Sequence, residues 1–151
     1  MSTLRVRTTG FPARYEIFDG GDLVTTVSAR TAQHGGEFDL DGQIYQFEGS
    51  AFGGDCSLRA LDGRVVASAG RDGLRSRRIA TSGRTFCLTR TGFGSRNLEL
   101  AEGDDRIGRV RRVGRGAEAE LSGLDSPAEV FVLVVALAMW QRRRKTVVIG
   151  S

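Results

Sequence analysis

At 151 residues and 16.3 kDa the chain is the size of one ordinary domain with a single hydrophobic core. Its 21 glycines, 2 prolines, 2 cysteines and 40% hydrophobic content exclude a collagen-like chain, a disulfide mini-protein, a long coiled coil and a fully disordered polymer. The 22 basic residues, all arginine except Lys145, outnumber 18 acids for a net charge of +4, while a single imidazole, His34, and two distant cysteines leave little for catalysis.

In chain order, residues 1–7 lack a charged segment followed by an apolar run and a small-residue cleavage site, so the reading places the chain in the cytoplasm with Cys56 and Cys87 reduced. From residue 4 to residue 124, short runs of alternating or β-branched residues are broken every eight to twelve residues by turn chemistry, the pattern of an antiparallel sandwich or barrel. Strands are predicted over 4–9, 14–19, 23–29, 37–40, 43–48, 56–61, 64–69, 77–80, 84–90, 97–102, 106–113 and 117–121. Asp19-Gly20-Gly21-Asp22, Asp41-Gly42, Asp62-Gly63 and Asp72-Gly73 are turn makers, and Asp62-Gly63 predicts a two-residue hairpin. Gly92-Phe93-Gly94 and Gly114-Arg115-Gly116 precede no helical pattern and read as turns rather than nucleotide loops. His34 falls in a polar loop, Gln33-His34-Gly35-Gly36, with no nucleophile partner.

The pattern changes at Ser126. Serine as N-cap, Pro127 at the first helical position and Glu129 closing a capping box predict a helix over about 127–143. Residues 130–140 (VFVLVVALAMW) form an apolar run of 11 residues, well short of the roughly 20 a spanning helix needs, so the chain is not read as an integral membrane protein. The run is apolar on every face, and such a helix must be surrounded. The expectation is a closed β-barrel around a C-terminal helix, one domain over 1–144, followed by a short tail at 145–151.

Arg106-Ile107-Gly108-Arg109-Val110-Arg111-Arg112, the strand Ala117-Glu118-Ala119-Glu120-Leu121, then Asp125-Ser126-Pro127 and the apolar run, together resemble the end of the tubby C-terminal-like superfamily. The pattern is most similar to its LURP-one-related and phospholipid scramblase branch, where an "IGxIxR/K" strand precedes a terminal hydrophobic helix. Gln43-Ile44-Tyr45-Gln46-Phe47 resembles that branch's early hairpin. The resemblance is specific over about 106–144 and rests on strand rhythm before that. It implies a barrel of twelve antiparallel strands around the helix and a non-enzymatic module handling phospholipids or phosphoinositides. No cysteine-rich segment or calcium motif of the scramblases is visible, and none of the family's lipid-binding residues can be matched one by one.

Charge distribution adds the candidate site. Residues 1–70 carry six arginines against nine acids, residues 71–115 carry twelve against five, and the remainder balances. The excess lies in two clusters, Arg71-Arg75-Arg77-Arg78 and Arg106-Arg109-Arg111-Arg112-Arg115. Arg106, Arg109, Arg111, Arg112, Arg115, Arg75, Arg77 and Arg78 are therefore candidates for binding anionic headgroups, since each basic group near an anionic bilayer contributes about 1 kcal/mol. Alternation along residues 106–113 puts Arg109 and Arg111 on one face and Arg106 and Arg112 on the other. Any inward pair must sit near a rim or be neutralised by acids such as Glu118 and Glu120. A solvated face with no role and a protein-partner surface are the alternatives. A nucleic-acid surface would interleave aromatics among the basic residues, and residues 106–115 contain none. Asp39/Asp41 and Asp104/Asp105 read as turn acids, no cysteine or histidine spacing suggests a metal, and neither an enzymatic activity nor a cofactor is expected.

Overall fold

The computed structural model describes residues 2–52, 55–73, 76–91 and 97–149, with side chains as far as residue 140. Its twelve strands are β1 (Ser2–Thr9), β2 (Arg14–Asp19), β3 (Asp22–Ser28), β4 (Gly36–Leu40), β5 (Gln43–Gly49), β6 (Cys56–Ala60), β7 (Val65–Arg71), β8 (Ser76–Thr81), β9 (Arg84–Arg90), β10 (Leu98–Glu102), β11 (Asp105–Val113) and β12 (Gly116–Leu121). Each covers a predicted run to within two residues at either end. A short helix α1 (Ala29–His34) joins β3 to β4, and α2 (Ser126–Ile149) closes the chain.

The strands form one antiparallel meander in the order β3-β2-β1-β12-β11-β10-β9-β8-β7-β6-β5-β4. First and last strands are hydrogen-bonded neighbours, with Leu4 opposite Ala119 and Val6 opposite Ala117. The sheet thus curls into a nearly closed barrel whose seam lies between β3 and β4, bridged by a hydrogen bond from Thr25 Oγ1 to the Asp39 carbonyl. Inward positions along the strands, such as Ile17, Leu58, Ile79, Leu88 and Leu100, are fully buried.

All of residues 130–140 are buried, at 6% exposure or less, so every face of α2 meets protein over that stretch. Phe131 packs on Phe47 of β5 with ring centroids 5.8 Å apart, and the helix also touches α1, β7 and β12. A helix with no polar face can be stable only inside such a shell. Among the described residues, no helix is long and apolar enough to cross a membrane.

Four sequence readings need correction. The loop holding His34 is the helix α1, capped by Ser28, whose Oγ accepts from Thr31 N at 2.9 Å; at six residues it is too short to show a periodicity. Asp62-Gly63 is not a two-residue turn: Ala60 and Arg64 are the last bonded pair, and Leu61-Asp62-Gly63 forms a three-residue loop with Gly63 at φ +87°. The helix extends to Ile149 rather than ending near 143, with no glycine or proline before Gly150 to stop it. Its cap is Asp125 rather than Ser126: Asp125 Oδ1 accepts from Ala128 N at 3.1 Å, and Pro127 takes the second helical position.

That shift places Glu129 inside the first turn, where it is 7% exposed. Burial pushes its carboxyl above the ordinary range, aided by Asp19 and Asp125. The folded chain therefore holds this proton more tightly than the unfolded chain does, and ionisation above about pH 4.5 weakens the fold. Glu129→Gln is expected to raise the thermal midpoint at pH 7, with the gain shrinking as pH falls through the carboxylate range; calorimetry over pH 4 to 7 reads this directly.

Candidate anion-binding surface

In an antiparallel meander successive connections alternate between the two ends of the barrel. One end, where α2 enters, carries the β2–β3, β4–β5, β6–β7, β8–β9 and β10–β11 turns and the β12–α2 link. These connections and their bordering residues hold eight carboxylates, Asp19, Asp22, Asp41, Asp62, Glu102, Asp104, Asp105 and Asp125, against Arg64 and Arg84. Arg84 is fully engaged, donating to both oxygens of Glu102 at 3.0 and 2.9 Å and to the Gly123 carbonyl. The opposite outlet end, which α2 reaches at Trp140, holds Arg14, Arg30, Arg71, Arg90 and Arg115 against Asp55 and Asp72 among the described residues. The barrel is acidic at its inlet and basic at its outlet.

The predicted arginines divide sharply. Arg109 and Arg111 point outward, and each meets the glutamate opposite it on β12: Arg109 to Glu120 at 3.2 Å and Arg111 to Glu118 at 2.8 Å. A bulge on β11, where Gly108 faces Leu100 but Arg106 faces Ala101, turns Arg106 to the same outer wall, and it pairs with Glu99 at 2.9 Å. The alternation argument misses this because the bulge inserts Ile107 and resets the parity. Arg112 is the inward residue, and it lies at the outlet rim with its guanidinium 5.8 Å from the Trp140 ring centroid and Nε donating to the Gly114 carbonyl at 3.3 Å. Arg78 pairs with Asp72 at 3.4 Å. Arg77 points into the barrel and is 4% exposed. Arg75 lies outside the described residues.

Arg106, Arg109 and Arg111 therefore form a ladder of cross-strand ion pairs. Exposed pairs of this kind are worth only about 0–1 kcal/mol each, but they cancel most of the wall's positive field. Among the described residues, Arg115, at the tip of the β11–β12 hairpin, has no ion pair, and neither has Arg5 of β1, which faces Glu118 across the ladder while Arg111 holds that carboxylate.

Arg5, Arg7, Arg115, Thr8 and Phe18 line an open groove of about 530 Å³ along the outside of β1. Arg7 is fixed there by Glu16, at 2.9 and 3.0 Å, and by the Phe18 ring 5.4 Å away. Above the groove, at the outlet, the tip of the β1–β2 hairpin presents Phe11 at 102% exposure, and Val113 of the adjacent hairpin is also exposed. Sequence reading missed this tip because Phe11 belongs to no periodic run and Arg14 to neither basic cluster. Their shared location follows from β1 pairing with both β2 and β12.

Cys56 and Cys87 are free thiols, and among the described residues no three His, Cys, Asp or Glu side chains are grouped as a metal would need. No protein-family profile matches the chain. No curated protein matches it either. Among solved structures, the chain is similar to the X-ray structure of a protein from Arabidopsis thaliana, at 16% identity over 89% of each chain and a TM-score of 0.39. A likeness at that level carries no functional assignment.

Proposed function

We propose that the chain is a non-enzymatic binding module of the LURP-one-related and scramblase-like kind that docks its basic outlet end on an anionic phospholipid surface from the cytoplasm. The observation that carries this reading is the division of charge between the two ends of the barrel, with the fully exposed Phe11 at the basic one. Such an axial charge separation orients a molecule in the field of an anionic bilayer before contact. Contact then lets Phe11 leave water, which contributes about 1.5–3 kcal/mol for complete burial. Arg14 and Arg115 flank the tip and add about 1 kcal/mol each near the surface. Arg142-Arg143-Arg144-Lys145 belongs to the helix that leaves the barrel at this end.

Co-sedimentation with vesicles tests the reading. Binding is expected to phosphatidylcholine vesicles carrying phosphatidylserine at low salt, to decline as salt rises and to be absent with phosphatidylcholine alone. No binding to anionic vesicles at low salt would leave the barrel as a protein-interaction module, the rival reading. For that rival, the structure offers the exposed Ile44 and Leu61 at the acidic end.

A further inference from the structure

Arg77 is an unusual inward residue. On β8 the next inward residue is the fully buried Ile79, and its register partners are Leu88 on β9 and a second arginine, Arg71, on β7. Like charges directly opposite one another destabilise a sheet. Among the described residues, Arg77 Nε is fully buried without a hydrogen-bond partner, and Nη1 donates to the Ser76 carbonyl at a long 3.3 Å.

No carboxylate among the described residues pairs with either arginine. Asp72, the nearest acid in sequence, gives its oxygens to Arg78 and to the Cys87 thiol. Cys56 lies close enough to interact electrostatically, but burial pushes its thiol up to about 12, so it stays protonated and supplies no counter-charge. Burial and the Arg71 charge lower the Arg77 pKa in turn. Taking a guanidinium out of water without a partner is strongly unfavourable, and natural proteins keep such groups where an anion completes them.

We infer that Arg77 and Arg71 form a built site for a small phosphate-class oxyanion, inorganic phosphate or a phosphomonoester, at the outlet mouth of the barrel. An arginine fork presents parallel N–H donors in the geometry of a phosphate edge, and a second guanidinium suits a dianion better than a carboxylate. The site uses neither Phe11, Arg14 nor Arg115, so it stands or falls apart from the membrane reading.

The test is the thermal midpoint of the full chain during a titration of inorganic phosphate against chloride at matched ionic strength. A saturable, phosphate-specific rise is expected in the wild type. Arg77→Met should match or exceed the wild-type midpoint without phosphate, because it removes an unpaired buried charge, and should lose the phosphate response. Arg71→Gln alters an exposed side chain and keeps the test decisive if Arg77→Met does not fold; it should weaken the phosphate response at least tenfold. No phosphate-specific rise in the wild type, or an unchanged response in either variant, overturns the inference. The source of the phosphate is read separately. Release from phosphoinositide vesicles but not from phosphatidylserine vesicles by soluble phosphate identifies a lipid headgroup, and unchanged vesicle retention identifies a soluble phosphomonoester.

Discussion

Val134→Asp is expected to abolish the folded state. Val134 is 1% exposed at the middle of a helical stretch buried on every face, so no rotation of α2 can carry an aspartate to solvent. An unpaired carboxylate there costs several kcal/mol whether it stays charged or takes up a proton. A domain of this size has about 5–15 kcal/mol in total, and the lost packing of the valine adds to the deficit. Circular dichroism melting should find no cooperative transition for Val134→Asp and a reduced but cooperative one for Val134→Ala. A folded Val134→Asp variant with a wild-type midpoint would show that the helix is not enclosed.

Gly116→Ala should be the most damaging single-methyl change on the barrel wall. A Cβ at Gly116 would lie 1.9 Å from the Val6 carbonyl oxygen and 2.9 Å from its carbon, both backbone atoms of the neighbouring strand. Neither can move without separating β1 from β12, the pairing that joins the first strand to the last. Overpacking typically costs 1–3 kcal/mol, and an obstacle made of backbone places this case at about 3 kcal/mol or more. Gly63→Ala provides the contrast: its Cβ would meet nothing within 4 Å, so only the positive φ of 87° opposes it, at about 1–2 kcal/mol. Because Gly116 also seats the hairpin carrying Arg115 beside β1, Gly116→Ala should weaken vesicle binding as well as lower the midpoint, while Gly63→Ala at the opposite end should affect the midpoint alone.

The strands were legible because inward and outward residues alternate so regularly; β2 and β9 match their predicted spans residue for residue. The helix was legible from its uniform apolarity, although Ser126 is an equally good cap by type and only the chain path shows that Asp125 makes the bond. The site was read less well. Counting charge by stretches of sequence mixes turns from both ends of the barrel. Alternate connections tell the two ends apart: Asp19–Asp22, Asp41-Gly42, Asp62-Gly63 and Asp104-Asp105 all fall at one end because each is separated from the next by an even number of strands. The pairing of Arg109 and Arg111 with Glu120 and Glu118 was also within reach, because a tight turn at Gly114 sets that register. The orphaned Nε of Arg77 was not, since no sequence pattern reports the absence of a partner.

On the proposed reading the outlet end, and not the arginine ladder on the wall, meets the membrane. Two double variants with the same change in net charge separate these surfaces: Arg14→Ala with Arg115→Ala at the outlet, and Arg106→Ala with Arg109→Ala on the ladder. Co-sedimentation with phosphatidylserine vesicles at low salt should fall on the order of 30-fold for the outlet pair, from about 2 kcal/mol of lost surface attraction. The ladder pair should bind as the wild type does to within a few-fold, because each arginine it loses also frees a glutamate. Equal losses for the two pairs, or a larger loss for the ladder pair, would contradict the account.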